Sequence, residues 1–149
     1  MKDGWNCVVF EELTGNDVYE ILKLREAVFI LEQQCFYIDI DDVDKISHHV
    51  TLFKNDTLLA YARIIPGSSP DYVIIGRIIV NESVRRTGLG KELVQTAIEQ
   101  AKILYTPSRI DISAQEYLRR FYESFGFIAH GSIYDLDGIP HIDMTLQQV

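Results

Sequence analysis

Surplus positive charge, an export signal, a membrane-length apolar run, a linker and an internal repeat are all lacking in this 149-residue chain. No apolar stretch approaches the roughly 20 residues that a bilayer-crossing helix needs. The opening MKDGWNCVVFEE carries one Lys, then Asp and Gly, and its apolar run is too short for export. Fourteen Lys and Arg stand against 22 Asp and Glu, a net charge of −8, which argues against a protein that grips nucleic acid through its phosphates. The same surplus suits a cationic partner such as an amine, and equally suits plain solubility. The two cysteines, Cys7 and Cys35, form no recognisable redox or metal-ligand motif. They read as free thiols of a reduced, cytoplasmic protein with no metal requirement.

What is present is ordinary for one globular domain, residues 1–149, with 47% hydrophobic and 24% charged residues. The chain is arranged around the stretch from Val73 to Lys102. Val73, Ile74, Ile75, Ile78, Ile79 and Val80 make a β-branched run of the kind found in a strand buried on both faces. Arg85-Arg86-Thr87-Gly88-Leu89-Gly90 then turns the chain into a helix with Leu93, Val94, Ala97, Ile98 and Ala101 on one face. A helix start has unpartnered N–H groups, and Gly88 and Gly90 admit a ligand close to the backbone. With Arg85, Arg86 and Lys91 added, the turn reads either as a phosphate site or as a tight turn with surface cations. A P-loop is excluded by Arg85 and Glu92, and a Rossmann turn by the missing third glycine.

Around this centre the expected order is β, α, three β, α, β, α, two β. Trp5 to Phe10 reads as a strand, and Thr14 or Asn16 caps a helix whose stripe of Val18, Ile21, Leu22, Val28 and Phe29 contains Arg25. That arginine needs an acidic partner or a position at the stripe's edge with its head in water. Glu32 to Asp44 loses the period and gains Asp39, Asp41, Asp42 and Asp44, which reads as a solvated acidic loop, with lining the entrance for a cationic substrate as its alternative role. Two strands flank Asn55-Asp56, and a final hairpin turns at Asp137-Gly138. The helix between Val73–Val80 and Arg109–Ser113 makes these strands a parallel pair. A short helix from Tyr117 to Phe125 is expected to bury Tyr117, Phe121 and Phe125. Gly76 marks either a bulge or a packing need, and Arg77 faces either an acceptor site or an acid of the first helix.

Arg85, Gly88 and Gly90 match Arg or Gln, two residues, Gly, one residue, Gly or Ala. This resembles the acyl-CoA signature of the GNAT (Gcn5-related) N-acetyltransferases. FYESFGF, with Tyr122 ahead of Gly126-Phe127, is similar to their second signature, and Gln115 stands where an Asn is frequent in the family. The resemblance covers the whole chain, and LREAVFILEQ with DGIPHIDM resembles the ElaA-like branch. It implies an α/β (α+β mixed-sheet) GNAT-like fold. About seven strands and about four helices are expected, with the parallel pair splayed at a cofactor cleft.

The resemblance further implies acetyl transfer from acetyl-CoA to a primary amine of a small molecule or peptide, without a covalent acyl-enzyme. Arg85, Arg86, Thr87, Gly88, Leu89, Gly90 and Lys91 would then hold the pyrophosphate. Ile78, Ile79 and Val80, with Gln115, would hold the pantetheine arm, and an N–H near Ile79 would face the thioester oxygen. Tyr122 would protonate the leaving thiolate or, on position alone, simply pack. The base is open among Glu32, His141 and a water chain, while His48 and His49 read as strand-edge residues. An acyl-homoserine-lactone-synthase-like enzyme, a CoA-binding sensor without turnover, and a homodimer all stay compatible with the sequence.

Overall fold

A computed structural model describes residues 1–148. It contains β1 (Gly4–Val9), α1 (Gly15–Arg25), β2 (His48–Lys54), β3 (Thr57–Pro66), β4 (Tyr72–Val80), α2 (Leu89–Tyr105), β5 (Arg109–Gln115), α3 (Arg119–Glu123), β6 (Ile128–Leu136) and β7 (Ile139–Gln147). The element order matches the sequence reading. The seven strands form one sheet in the order β1-β2-β3-β4-β5-β7-β6, so β4 is central. Three α-helices are present among the described residues, and α1 runs on into a π-helical segment, Glu26–Glu32.

Local chemistry sets the boundaries. Thr14 accepts from the Asp17 amide while the Asp17 side chain accepts from the Thr14 amide, a reciprocal cap that starts α1. Asn55 and Asp56 both have positive φ, as do Asp137 and Gly138, the geometry of two-residue turns that match strand twist. Leu93, Val94, Ala97, Ile98 and Ala101 are all buried, as their spacing predicts. They pack with Ile110, Ile112 and Tyr122 on one face of the sheet. A smaller cluster of Ile21, Leu24, Val28, Tyr61 and Ile79 packs α1 on the other face.

Two irregularities shape the centre. β4 pairs with β5 only at Tyr72↔Arg109, Val73↔Ile110 and Ile74↔Asp111, after which the strands part. On its other side, Tyr61 faces Ile79 and Arg63 faces Gly76, so β4 carries an extra residue at Arg77-Ile78. Arg77 takes the left-handed conformation, φ +51°. The irregularity expected at Gly76 thus falls on its neighbour, and a Cβ on Gly76 would meet only Ile65 at 3.9 Å, an ordinary contact.

Three expectations are corrected, and the choice left open for Arg25 is decided in favour of an acidic partner. Arg25 does not reach water: it is fully buried and bonds Asp39 and Asp44, each at 2.8 Å. The acidic segment is not a solvated loop, because Asp39, Asp41 and Asp44 turn inward to Arg25, Arg63 and Arg77, and Asp42 alone of the four is exposed. The short helix is rotated, with Tyr122 buried, Phe121 and Phe125 half-buried and Tyr117 exposed. His48 and His49 lie on β2, an interior strand, and His49 is buried between the Tyr61 hydroxyl and the Asp44 carbonyl, at 2.7 and 2.8 Å.

Candidate active site

Where β4 and β5 part, a cleft of about 500 Å³ opens through the sheet. Its walls come from the π-helical segment, β3, the β4 edge, β5, the 3-10 turn before α3 with Tyr122 of α3, and the β6–β7 turn. Beyond Ile74, no β5 partner bonds the β4 backbone, so Ile78, Ile79 and Val80 present an open strand edge. Ile79 is buried, while Ile78 and Val80 are half-buried.

At the end of that edge lies the glycine turn. Gly88 caps α2 with φ +84°, a conformation that side chains disfavour, although a Cβ there would meet nothing within 4 Å. A Cβ on Gly90 would touch only Val80 at 3.9 Å. Neither glycine is demanded by protein packing, so the space before the helix start is kept free of side chains. Thr87 donates to the Val84 carbonyl at 2.6 Å and shapes the turn, Leu89 begins the helix half-buried, and Arg86 and Lys91 are exposed.

Arg85 behaves differently from its neighbours. It forms a two-pronged pair with Glu32, at 2.5 and 2.7 Å, that joins the π-helical segment to the turn. The guanidinium in turn holds the Glu32 carboxyl below the usual carboxylate range. Gln115, at the end of β5, donates to Gln33 at 3.2 Å. His141 sits beside it on β7, paired in register with Gln115, buried and stacked on Tyr134. Its Nδ1 lies 2.7 Å from the Ile139 carbonyl. A carbonyl only accepts, so Nδ1 carries a hydrogen, and in the neutral ring the lone pair is then on Nε2.

Tyr122 lines the cleft from the α3 side, held edge-on by Phe121 and Phe127 with ring centres 5.1 and 6.1 Å away. Burial pushes its phenol well above the ordinary tyrosine value. The cleft therefore brings together Glu32, Arg85, Gln115, Tyr122, His141 and the Ile78–Val80 edge. Arg86, Thr87, Gly88, Leu89, Gly90 and Lys91 follow directly at its end.

Sequence reasoning missed several residues of the opposite wall: Phe29, Gln33, Cys35, Tyr37, Arg63 and Asp137. Phe29 and Gln33 fall inside LREAVFILEQ and Asp137 opens DGIPHIDM, stretches that carry the branch resemblance but assign these residues no role, while Cys35, Tyr37 and Arg63 lie in no motif. Arg77 did carry a signal, as a lone charge within a β-branched run beside a glycine.

A family model described as "Acetyltransferase (GNAT) domain" matches residues 11–148. Protein ElaA of Escherichia coli (strain K12) is 38% identical over 148 residues, 97% of each chain. Its crystal structure superposes with a TM-score of 0.89 at 40% identity, covering 95% of this chain and 97% of that one. An acyl-CoA N-acyltransferase from Pseudomonas aeruginosa gives a TM-score of 0.91 at 35% identity, over 97% and 99% of the two chains. A CoA-dependent acyl-homoserine lactone synthase shares the fold, with a TM-score of 0.80 at 12% identity over 98% of this chain and 83% of that one.

Proposed function

We propose, from the premise that this chain belongs to the GNAT acetyltransferase family, that residues 1–149 act as one N-acetyltransferase domain moving an acetyl group from acetyl-CoA to a primary amine. The observation that carries this reading is the open β4 edge leading to an unobstructed helix start at Gly88. A strand edge suits an arm built of amides, and a helix start flanked by Arg86 and Lys91 suits a pyrophosphate. Acetyl-CoA, when bound, supplies an acetyl group activated as a thioester.

The chain's own groups then divide the work. Backbone N–H groups from Arg86 to Lys91 hold phosphate oxygens, while Ile78 to Val80 and the Gln115 amide orient the arm. A backbone N–H near Ile79 donates to the thioester oxygen. Tyr122 keeps its proton throughout the neutral range, because burial raises the phenol, and its Oη gives that proton to the departing sulfur. His141 Nε2 takes the proton released by the amine, its tautomer fixed through Nδ1. Glu32 is a weak proton acceptor while paired, so its role is to steady Arg85 across the cleft mouth.

Titration calorimetry with CoA tests the reading. The parent should bind, and Gly88→Val, which puts a β-branched residue at φ +84° in the phosphate path, should lose binding while keeping its circular dichroism spectrum. Equal affinity in the variant would put the cofactor elsewhere. Release of free thiol from acetyl-CoA in the presence of amines separates an enzyme from a sensor.

A further inference from the structure

One wall of the cleft carries two arginines although the protein as a whole is acidic. Arg63 and Arg77 line this wall, whereas Asp39, Asp41 and Asp44, which neutralise them, lie behind and do not reach the cleft. The aspartates leave these cations charged and fixed in place, and they offer the substrate no carboxylate of their own.

Arg77 is built for this orientation. In regular alternation it would follow Val73 and Ile75 toward α2, yet the extra residue in β4 turns it to the opposite face. There its guanidinium packs over Phe29 and Tyr37, 5.8 and 5.3 Å from the ring centres. Nε bonds Asp39 at 2.8 Å, and Nη2 lies 3.4 Å from the Asp39 carbonyl and 3.6 Å from Asp41. Nη1 has no partner among the described residues. Asp39 is itself shared with Arg25 and with the Tyr37 hydroxyl, and Asp41 is bonded more closely by Arg63, so Arg77 has neither carboxylate to itself. A side chain that is strained in backbone, packed against two rings and left with one terminal nitrogen unpartnered among the described residues matches a ligand-holding arginine better than a structural one.

We propose that Arg77 binds a carboxylate carried by the acceptor itself, so that the preferred acceptors are amines bearing a carboxylate, of the amino-acid class, in place of simple amines or polyamines. A guanidinium with one free edge recognises a carboxylate oxygen through charge-assisted N–H donors. The anchored carboxylate sets where the amine lies in the cleft.

This inference rests on the proposed acetyl transfer, and the test keeps the two apart. Acetyl-CoA turnover is measured with acceptor pairs that differ only by the carboxylate, L-lysine with cadaverine and L-phenylalanine with phenethylamine, alongside calorimetric CoA binding. The carboxylate member of a pair should be preferred in kcat/KM by tenfold or more, the scale of a hydrogen bond to a charged group. In Arg77→Lys, which keeps the charge but loses the planar fork, that ratio should fall several-fold at unchanged CoA affinity; Arg77→Gln should bring it near unity. Tight CoA binding with equal or better turnover of the carboxylate-free amines, or with no turnover of any carboxylate-bearing member, overturns the inference and leaves CoA binding standing. Absence of CoA binding overturns both. A ratio that survives in Arg77→Gln assigns the preference to another residue and removes Arg77 from the proposal.

Discussion

Tyr122 shows what a residue's position in sequence does and does not reveal. Its motif was legible from Gly126-Phe127, but the expected stripe put Phe121 toward the core and Tyr122 off it. In the structure Tyr122 is the buried member of the helix, wedged between two aromatic rings and still on the cleft wall. Sequence periodicity misplaced it because the segment opens with a 3-10 turn, Glu116–Leu118, whose tighter winding advances the following side chains. Replacing Tyr122 by Phe keeps the ring packing and removes only the donor. The expected outcome is a fall in kcat of on the order of a hundredfold with the acetyl-CoA KM nearly constant. A free-thiol assay under saturating acceptor checks this, and full kcat in the variant would leave Tyr122 as a packing residue. Glu32 and Arg85 teach the complementary lesson, since no local pattern links residues that far apart in the chain. Their pairing is visible only once β4 and the π-helical segment face each other across the cleft.

At the scale of elements, the first helix was read correctly, and the acidic segment correctly in outline but wrongly in purpose. Period 3.6 found the α1 stripe and flagged Arg25 as needing an acid. The acids were in view as well, at Asp39 and Asp44, but partner choice is tertiary and no spacing rule encodes it. The result is an ion cluster of three arginines and three aspartates that fastens the segment after α1 to β3 and β4. Removing one member of such a buried set leaves its partners charged and unpaired. Arg25→Met is therefore expected to cost about 3–5 kcal/mol, read from urea unfolding, with part of the loss recovered when Asp44→Asn is added. Asp42 is the control. It is exposed and bonded only to the exposed Lys45, so Asp42→Asn is expected to stay within about 0.5 kcal/mol of the parent. These assignments also withdraw the idea that the aspartates draw a cationic substrate to the entrance.

For the whole molecule, the sequence patterns were enough for the element order, the two hairpins and the parallel pair, because β-branched runs, Asn-Asp and Asp-Gly turns and the α2 stripe are all local signals, whereas the place of β7 between β5 and β6 was not among the expectations. The β4–β5 parting has no local signal and the bulge only the ambiguous one of Gly76, and both lie where the cofactor is proposed to bind. Stability of the whole fold should also depend on pH with a definite sign. Burial holds the imidazoles of His48 and His49 below their ordinary value, and the Arg63 guanidinium holds Asp41 below its own. The folded state then binds fewer protons than the unfolded chain. The histidine contribution is fully present above the unfolded value, about 6.5, and is lost as pH falls from there toward the folded values. The Asp41 contribution persists above about 4 and disappears in stronger acid. Melting temperature should be level from about pH 8 to 7, decline below about 6.5, and drop again below about 4. His49→Gln should melt lower throughout but with a shallower slope between about pH 6.5 and 5; an unchanged slope would assign that decline to other groups.

The three residue pairs that join β4 to β5 are the spine of an open book. Strands β1 to β4 make one leaf and strands β5 to β7 the other, and nothing in the sheet beyond Ile74 and Asp111 ties the leaves together. The angle between them, and hence the aperture between the two pages, is set at the binding, with the Gln115–Gln33 hydrogen bond as a light clasp at the margin. Val73 and Ile110 lie in that binding and are completely or almost completely shut away from water. A change in their bulk therefore acts on the cleft as a shim acts on a hinge, altering the width available to an acyl chain without touching any residue that would meet it.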